Sequence, residues 1–330
     1  MTKIAPTIQE AIDALLDPSQ DVDRELLLHY TSVFSDMLPA HRRILLETWD
    51  EISLARRHAL LAHLKNELET DLLYSFELLA RALLLNDDPI TRTYAIRLLV
   101  DCENDNLVAP LLDIATQDPA MDARAEAITS LGAYVYYGEI EEISQDNLSK
   151  VEEALLEIAQ NSEKAELKMR AVESLGFSSR KEVPQLIQSA WARGTAAWMA
   201  NALSAMGRSV DKVWEDEILE GLLHESELVR LAAAKAAGEL SLPLARPILL
   251  NFLKEEKDEA VLRVAIWSLS EIGGEDVREY LLALLDEYED DDQAEIEYME
   301  EALANLDFTE DVQSLDLFDF DSPNLLEGEE

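Results

Sequence analysis

The residue types that carry metal or acid–base chemistry are sparse in this chain, apart from its carboxylates. Its five histidines are His29, His41, His58, His63 and His224. His58 and His63 are five residues apart, whereas two ligands on one helix face need a spacing of four. We therefore interpret the basic N-terminal cluster as a solvated face and not as a metal or nucleic-acid site; its members are His41, Arg42, Arg43, Arg56, Arg57, His58 and His63.

No local pattern predicts a catalytic residue. The 69 acidic residues form pairs by chance, and neither a glycine-rich phosphate loop nor a nucleophile beside a base occurs. The single cysteine, Cys102, excludes an internal disulfide and a multi-cysteine zinc site, and a passive thiol is expected. We predict a protein without enzymatic activity, with no catalytic, cofactor-binding or metal-binding residue.

Charge restricts the classes of partner. The net charge of −42 repels nucleic-acid phosphates and anionic membranes at long range. The first residues lack an apolar h-region after a basic start, and no uninterrupted apolar stretch reaches membrane-spanning length, so we expect a soluble, cytoplasmic, monomeric protein that binds neither nucleic acid nor membrane. The acidity is uneven, because residues 279–330 contain 20 Asp or Glu and no Lys or Arg.

The elements that would position any functional residue are helices. Only 10 Gly and 10 Pro occur in 330 residues, and Ala, Leu and Glu are abundant, which favours an all-α fold. One alanine-rich pattern recurs, and the positions equivalent to Gly238 in its copies are Val100, Gly132, Gly176, Gly207, Gly238 and Ser270. Their separations are 32, 44, 31, 31 and 32 residues, and a weaker copy places Asn305 next.

Each repeat is predicted to be a helical hairpin of about 31 residues. Segments with Leu and Ile at helical spacing lie between the alanine-rich copies, so two antiparallel helices alternate. Asp88-Pro89 and Asp118-Pro119 are typical of an N-cap followed by proline in the first turn. Alanine and glycine make one helix surface small enough for the next hairpin to stack closely, so Leu at Gly238 or Ala233 would overpack it.

The copies LVRLAAAKAAGEL, DARAEAITSLG and LSEIGGEDVREYLLALL resemble short HEAT repeats of the phycobilin lyase type over about residues 86–306. The resemblance implies an α-α superhelix, that is, a HEAT-like α-solenoid of antiparallel hairpins. It also implies a scaffold or adaptor function, with attachment of a bilin to a partner protein as the catalytic alternative. The arginine typical of the second helix stands at Arg92, Arg124 and Arg230. It is replaced elsewhere by Lys168, Met199 and Leu262, so an interrupted Asp–Arg ladder is expected.

Four regions follow from this pattern. Residues 1–85 are predicted to be a helical cap that begins with a capping box at Thr7 to Glu10, and residues 86–306 form the solenoid. An insertion at 133–147 is expected as a longer loop or extended helix. Its tyrosines, Tyr134, Tyr136 and Tyr137, either contact a partner or cover a joint. Residues 307–330 are predicted to be an acidic disordered tail, in which Leu315, Leu317, Phe318 and Phe320 form either a binding motif or incidental apolar positions.

A surface is then the remaining candidate for function. The second helices of HEAT-like solenoids line the concave side, and the positions one and five residues after the arginine position are predicted to face outward. Four of these stand out in so acidic a chain: Arg97, Lys235, Arg263 and Trp267. An exposed Trp beside an Arg suits an interface hot spot. Alternatively, Trp267 fills space against the next hairpin and the basic residues offset neighbouring acids.

We therefore predict a non-enzymatic scaffold that binds a partner protein or peptide on its concave face, with the acidic tail modulating this binding. The alternative is a lyase or chaperone-like factor for a bilin-bearing protein. No cofactor is predicted.

Overall fold

Helices account for all the regular structure that is described. The computed structural model describes residues 6–316 apart from 36, 72, 101 and 287–292, with side chains described up to residue 312. These residues form eighteen α-helices and five short 3₁₀ segments, without a strand among them. The predicted all-α class is confirmed.

The chain divides into two compact units, Met1–Ser178 and Ser179–Glu330. The helices of the first unit are α1 Ile8–Leu16, α2 Arg24–Phe34, α3 Pro39–Thr48, α4 Leu54–Thr70, α5 Glu77–Leu83, α6 Pro89–Arg97, α7 Val108–Gln117, α8 Met121–Glu139, α9 Gln145–Asn161 and α10 Ala165–Ser174. Those of the second unit are α11 Val183–Trp191, α12 Ala196–Arg208, α13 Glu215–Leu222, α14 Glu227–Glu239, α15 Arg246–Glu255, α16 Glu259–Ile272, α17 Glu275–Leu285 and α18 Gln293–Asp316.

In both units, consecutive hairpins stack so that even-numbered helices contact even-numbered helices. In the first unit α2, α4, α6, α8 and α10 pack in that order, while α1 packs on α3, α3 on α5 and α7 on α9. In the second unit α12, α14, α16 and α18 pack in the same way. We call these two sets the even-numbered layers. The predicted division at residues 85 and 86 falls inside the first unit, between α5 and α6, which pack together.

The repeated glycines lie where neighbouring even-numbered helices approach most closely. An added Cβ on Gly207 would lie 3.0 Å from the Cα of Ala236, and one on Gly238 only 2.8 Å from the Cα of Ser268. Gly132 faces Ser174 in the same way, at 3.1 Å from its Cα. In each case the facing residue stands two positions before the next repeat's marker, so the predicted stacking register is confirmed at these joints.

Two of the three predicted helix starts are correct. The Thr7 side chain accepts a hydrogen bond from the Glu10 backbone N–H, while the Glu10 carboxylate accepts one from the Thr7 N–H at 2.8 Å. Asp88 caps α6 by accepting from the Thr91 N–H at 2.8 Å. Asp118 is not an N-cap, since α8 begins at Met121 and its N-cap is Ala120; the Asp118 carboxylate binds Arg92 instead.

Four members of the basic N-terminal cluster are bound to other parts of the protein, and Arg57 and His63 among them are buried, so the interpretation as a solvated face is wrong for these four. Arg56 donates to the carbonyls of Ala14 and Leu15, and the Arg57 guanidinium binds Asp50 while lying over the Trp49 ring. The two histidines on α4 are also occupied: His58 pairs with Asp88 at 2.8 Å, and His63 shares a 2.7 Å hydrogen bond with Thr31. Burial lowers the pKa of His63. These side chains join α4 to its neighbours in the first unit.

The insertion at 133–147 is mainly an extension of α8, which runs to Glu139, and α9 begins six residues later at Gln145. Tyr134 is buried and its hydroxyl donates to the Cys102 carbonyl at 2.6 Å, so this tyrosine covers a joint. Tyr136 is 44% exposed and its ring lies 5.4 Å from that of Phe177. The joint-covering interpretation thus holds for Tyr134, and contact of Tyr136 with a partner stays a prediction.

The acidic end is more ordered than the sequence indicates. The predicted tail start at residue 307 lies inside α18, which continues to Asp316. Leu306 is fully buried, and the Arg278 guanidinium on α17 is 2.5 Å from the carboxylates of both Asp307 and Glu310. This cation offsets the self-repulsion on which the tail prediction rested. The remainder of that tail, residues 317–330, and the side chain of Leu315 lie outside the described residues.

Candidate partner-binding surface

A groove crosses the even-numbered layer of the first unit between α4, α6 and α8. Its volume is about 400 Å³, which falls in the size range of small-ligand clefts. Its apolar lining comes from Leu68, Ile96, Val100 and Ala133. Val100 is 56% exposed there, so apolar surface is open to solvent.

Ion pairs border this groove. The Arg97 guanidinium on α6 is 2.5 Å from the Glu126 carboxylate on α8, and it lies 5.7 Å from the Tyr94 ring. On α4, the Lys65 ammonium is 2.6 Å from Glu69. Arg97 is therefore partly exposed at the border of this groove, with its charge already offset by an acid on the neighbouring helix.

In the second unit, Lys235 projects from α14 with more than half of its side chain exposed. Its ammonium is 3.7 Å from the Glu239 carboxylate one turn later. Such an exposed pair contributes little to stability, about 0–1 kcal/mol, and is easily exchanged for another partner.

Arg263 and Trp267 are brought together by the helix on which they lie. They are one turn apart on α16, and both contact Tyr298 of α18: the guanidinium carbon lies 4.2 Å from the tyrosine ring centre, and the two aromatic rings are 6.4 Å apart. Arg263 also pairs with Glu295 at 2.6 Å, and the Tyr298 hydroxyl donates to the Arg263 carbonyl. Trp267 remains 37% exposed, so it both packs on the next helix and presents a rim to solvent.

The indole of Trp267 also donates a hydrogen bond to a carboxylate. Its Nε1–H donates to Glu271 at 3.1 Å. Partial burial raises the pKa of Glu271; the bond from Trp267 opposes this rise, and the charge of Glu239 adds to it. Glu271 could not be singled out from the sequence, because it is one of 69 acids and Glu239, whose charge adds to the rise, lies on another helix, α14.

The outward positions predicted from the repeat pattern divide into two groups. The position five residues after the arginine is exposed in Arg97, Lys235 and Trp267. The position one residue after it is buried in Thr93, Ala125 and Ala200, so the prediction is wrong for these three, whereas Met169, Leu231 and Arg263 are half-buried. The three buried residues lie against neighbouring helices because the small-residue joints bring the even-numbered helices close together.

The arginine ladder is partly formed. Arg92 binds Asp118, and Arg230 binds Glu256 at 2.6 Å while also donating to the carbonyls of His224 and Glu225. Arg124 donates to the Ala115 carbonyl within its own hairpin. These arginines hold the turns that join the helices, and they do not belong to the candidate surface.

No group of three or more His, Cys, Asp or Glu side chains among the described residues is arranged to hold a metal ion. None of the helices described is both long and apolar enough to cross a membrane.

Comparison with known proteins identifies the repeats. Residues 215–300 match the family model of HEAT repeats, which confirms the resemblance. No curated protein is significantly similar in sequence. The structure of E. coli YibA is 18% identical in sequence to this chain and aligns with a TM-score of 0.43. The alignment covers 87% of this chain and 98% of that one.

Two further structures are similar in part. Human deoxyhypusine hydroxylase in complex with glycerol has 14% identity and a TM-score of 0.35, with 80% of this chain and 95% of that chain covered. A structure of Kap95p binding to RanGDP has 11% identity and a TM-score of 0.38, with 91% of this chain and 40% of that chain covered.

Proposed function

We propose that this HEAT-repeat chain is a non-enzymatic, cytoplasmic and monomeric scaffold that binds a partner protein or peptide on its even-numbered helices. HEAT repeats commonly serve in protein interaction, which supports the coarse function. The observation that carries the proposal is the groove between α4, α6 and α8, where exposed apolar surface at Val100 adjoins the Arg97–Glu126 pair. Apolar pockets bordered by exchangeable charges are typical of protein interfaces.

The partner would place an apolar side chain against Val100 and Ile96. An acidic group beside it would take over the Arg97 guanidinium from Glu126. Because that pair is partly exposed, exchanging one carboxylate for another costs little and fixes the orientation of the bound segment. Lys235, Arg263 and Trp267 are proposed to offer a comparable surface in the second unit.

The test compares Val100→Glu with Leu46→Glu in affinity capture from native lysate, followed by quantitative mass spectrometry. Leu46 is a matched control, because it is an exposed apolar residue on α3 in the same unit but outside the even-numbered layer. We expect Val100→Glu to lose partners that Leu46→Glu and the unchanged chain retain. Identical partner sets for all three proteins, each shown by circular dichroism to be folded, would refute the use of this groove.

We also propose that the acidic C-terminal segment competes with partners for the basic positions. Arg97, Lys235 and Arg263 each already lie beside a carboxylate, so the segment would have to displace an existing pair, and its effect should be weak and sensitive to salt. A chain that ends at Asp316 is compared with the full chain in its affinity for a synthetic acidic peptide. Tighter binding by the shorter chain at low salt is expected, and equal affinities would end this proposal.

A further inference from the structure

The last described helix carries an apolar stripe on an otherwise acidic face. Ala304, Phe308 and Val312 follow one another at intervals of four residues, so they share one side of α18. All three are exposed, and Phe308 is 68% exposed although it is a large aromatic residue. A singly exposed apolar residue is ordinary, but three in register beside a groove form a candidate contact surface.

The stripe borders a groove in the second unit. The groove has a volume of about 700 Å³, and Phe308 and Val312 line it opposite the C-terminal ends of α14 and α16. Those ends contribute Glu239, Glu271 and Ile272. An occupant would therefore meet apolar side chains on one wall and two carboxylates on the other.

The carboxylate wall is open to an additional cation. Glu271 accepts a hydrogen bond from the neutral indole of Trp267, and burial together with the charge of Glu239 raises its pKa. The Trp267 bond and the charge of Lys235 lower this pKa, but burial outweighs them, so the ionised carboxylate is less well stabilised here than in water. A Lys or Arg from a partner would stabilise Glu271 in its ionised form.

Two cations also line this groove. The Arg246 guanidinium donates to the Gly273 carbonyl at 3.0 Å and lies 3.5 Å from Asp276, so its charge is engaged on the protein itself. Lys212 lies on the wall formed by the segment before α13. The outward face of α18, in contrast, carries Glu297, Glu300, Glu301, Asp307 and Asp311 beside the stripe.

Charge complementarity distinguishes among the possible occupants. A second copy would bring one acidic α18 against another, and residues 317–330 contain five Asp or Glu with no Lys or Arg. Both would be repelled by the carboxylates around the stripe. A basic segment with an apolar face is attracted by these carboxylates, which outnumber the two cations Lys212 and Arg246 in the groove, and its apolar side chains can cover the stripe.

We propose that the α18 stripe and its groove bind a cationic amphipathic helix of a partner protein. Its apolar side chains cover Phe308 and Val312, and its Lys or Arg side chains approach Glu271 and the acids of α18. This surface is separate from the α4–α6–α8 groove, so either proposal can fail without the other. The mode is that of a helix laid in an apolar groove, with electrostatic attraction setting the rate and the orientation of binding.

The probe is a synthetic amphipathic peptide of leucine and lysine, and binding to the full chain is measured by isothermal titration calorimetry. Phe308→Ser should weaken binding about tenfold, as expected for loss of an aromatic anchor. Leu282→Ser on α17, another exposed apolar position in the second unit, is the matched control and should leave the affinity unchanged. Equal losses in both variants, or no loss in either, would overturn the proposal.

Charge and competing occupants are tested with the same assay. A peptide with glutamate in place of lysine should fail to bind, and Glu271→Gln should weaken the lysine peptide about threefold. If the glutamate peptide binds as well as the lysine peptide, the charge argument is refuted. A chain ending at Asp316 should bind the lysine peptide with unchanged affinity. Tighter binding by this shorter chain would indicate that the C-terminal segment is the occupant of the stripe. If the protein forms a dimer and Phe308→Ser dissociates it, the occupant of the stripe is a second copy of the chain.

Discussion

Arg92 holds Asp118, on the loop before the next even-numbered helix, through two parallel hydrogen bonds. The Nε and Nη2 atoms each donate to one carboxylate oxygen at 2.7 Å. The remaining guanidinium nitrogen donates to the carbonyls of Asn86 and Asp87. Both charged side chains are about nine-tenths buried, so this single arginine ties two successive turns of the first unit together.

Removing either partner should destabilise the first unit strongly. Arg92→Ala leaves the Asp118 carboxylate buried without its cation, and breaking a buried pair in this way costs about 3–5 kcal/mol. Arg43→Ala is the control, because Arg43 and Glu47 form a surface pair at 3.8 Å and should contribute less than about 0.5 kcal/mol. Urea unfolding followed by circular dichroism measures both. Similar midpoints for the two variants would contradict the importance of the buried pair.

The equivalent pair in the second unit predicts a pH dependence. The hydrogen bond from Arg230 lowers the pKa of Glu256 to about 2 from a usual value of 4.5, although burial opposes the shift. Since the carboxylate is more acidic in the folded state, its stabilisation is present above about pH 4.5 and is lost as the pH falls through about 2.

Glu256→Gln should therefore reduce stability near neutral pH and flatten its fall between pH 4.5 and 2. Glu255→Gln is the neighbouring control, because Glu255 is exposed and bonds only to Asn251 among the contacts described here. Unfolding by urea at several pH values gives both curves. A Glu256→Gln curve with the same slope as that of the unchanged chain would exclude this carboxylate as a source of acid sensitivity.

The small-residue joints predict a cost for a single added methyl group. Gly238→Ala would place its Cβ 2.8 Å from both the Cα and Cβ of Ser268, so the backbone of α16 must shift. Overpacking of this kind costs about 1–3 kcal/mol, whereas the better helix propensity of alanine returns up to about 1 kcal/mol. We expect a net loss, measured as a lower melting temperature.

Ser268→Gly in the Gly238→Ala background removes the close contact with the Ser268 Cβ, and its effect separates packing from helix propensity. The double variant should recover part of the stability if the clash is responsible, after correction for Ser268→Gly alone. A melting temperature that rises in Gly238→Ala itself would show that α14 and α16 separate more easily than their contacts indicate.

The stacking of hairpins could be predicted from the sequence because small residues recur at a fixed interval where neighbouring helices meet. The positions of Gly207 and Gly238 locate these joints without information about which residues face them. Side-chain roles set by distant contacts could not be predicted in this way. Asp118 precedes a proline and has the local pattern of an N-cap, yet Arg92, 26 residues earlier, determines its position.

The same distinction applies to the candidate surfaces. Arg97 and Trp267 were identifiable because they occupy repeat positions that face outward. Phe308 was not, since the absence of Lys and Arg after residue 278 indicated a disordered segment. Arg278 supplies the missing counter-charge from α17, and this pairing extends α18 far enough to form the stripe.

The buried tyrosine of the insertion gives the last prediction. Tyr134 donates its hydroxyl to the Cys102 carbonyl at 2.6 Å, and burial raises its pKa above the usual value. Tyr134→Phe leaves that carbonyl without its strongest donor and should cost about 1–2 kcal/mol. Tyr136→Phe is the matched control, because Tyr136 lies two residues further on the same helix with its ring 44% exposed. Urea unfolding should show a loss for Tyr134→Phe alone; equal stability of the two variants would mean that the hydroxyl does not secure this joint.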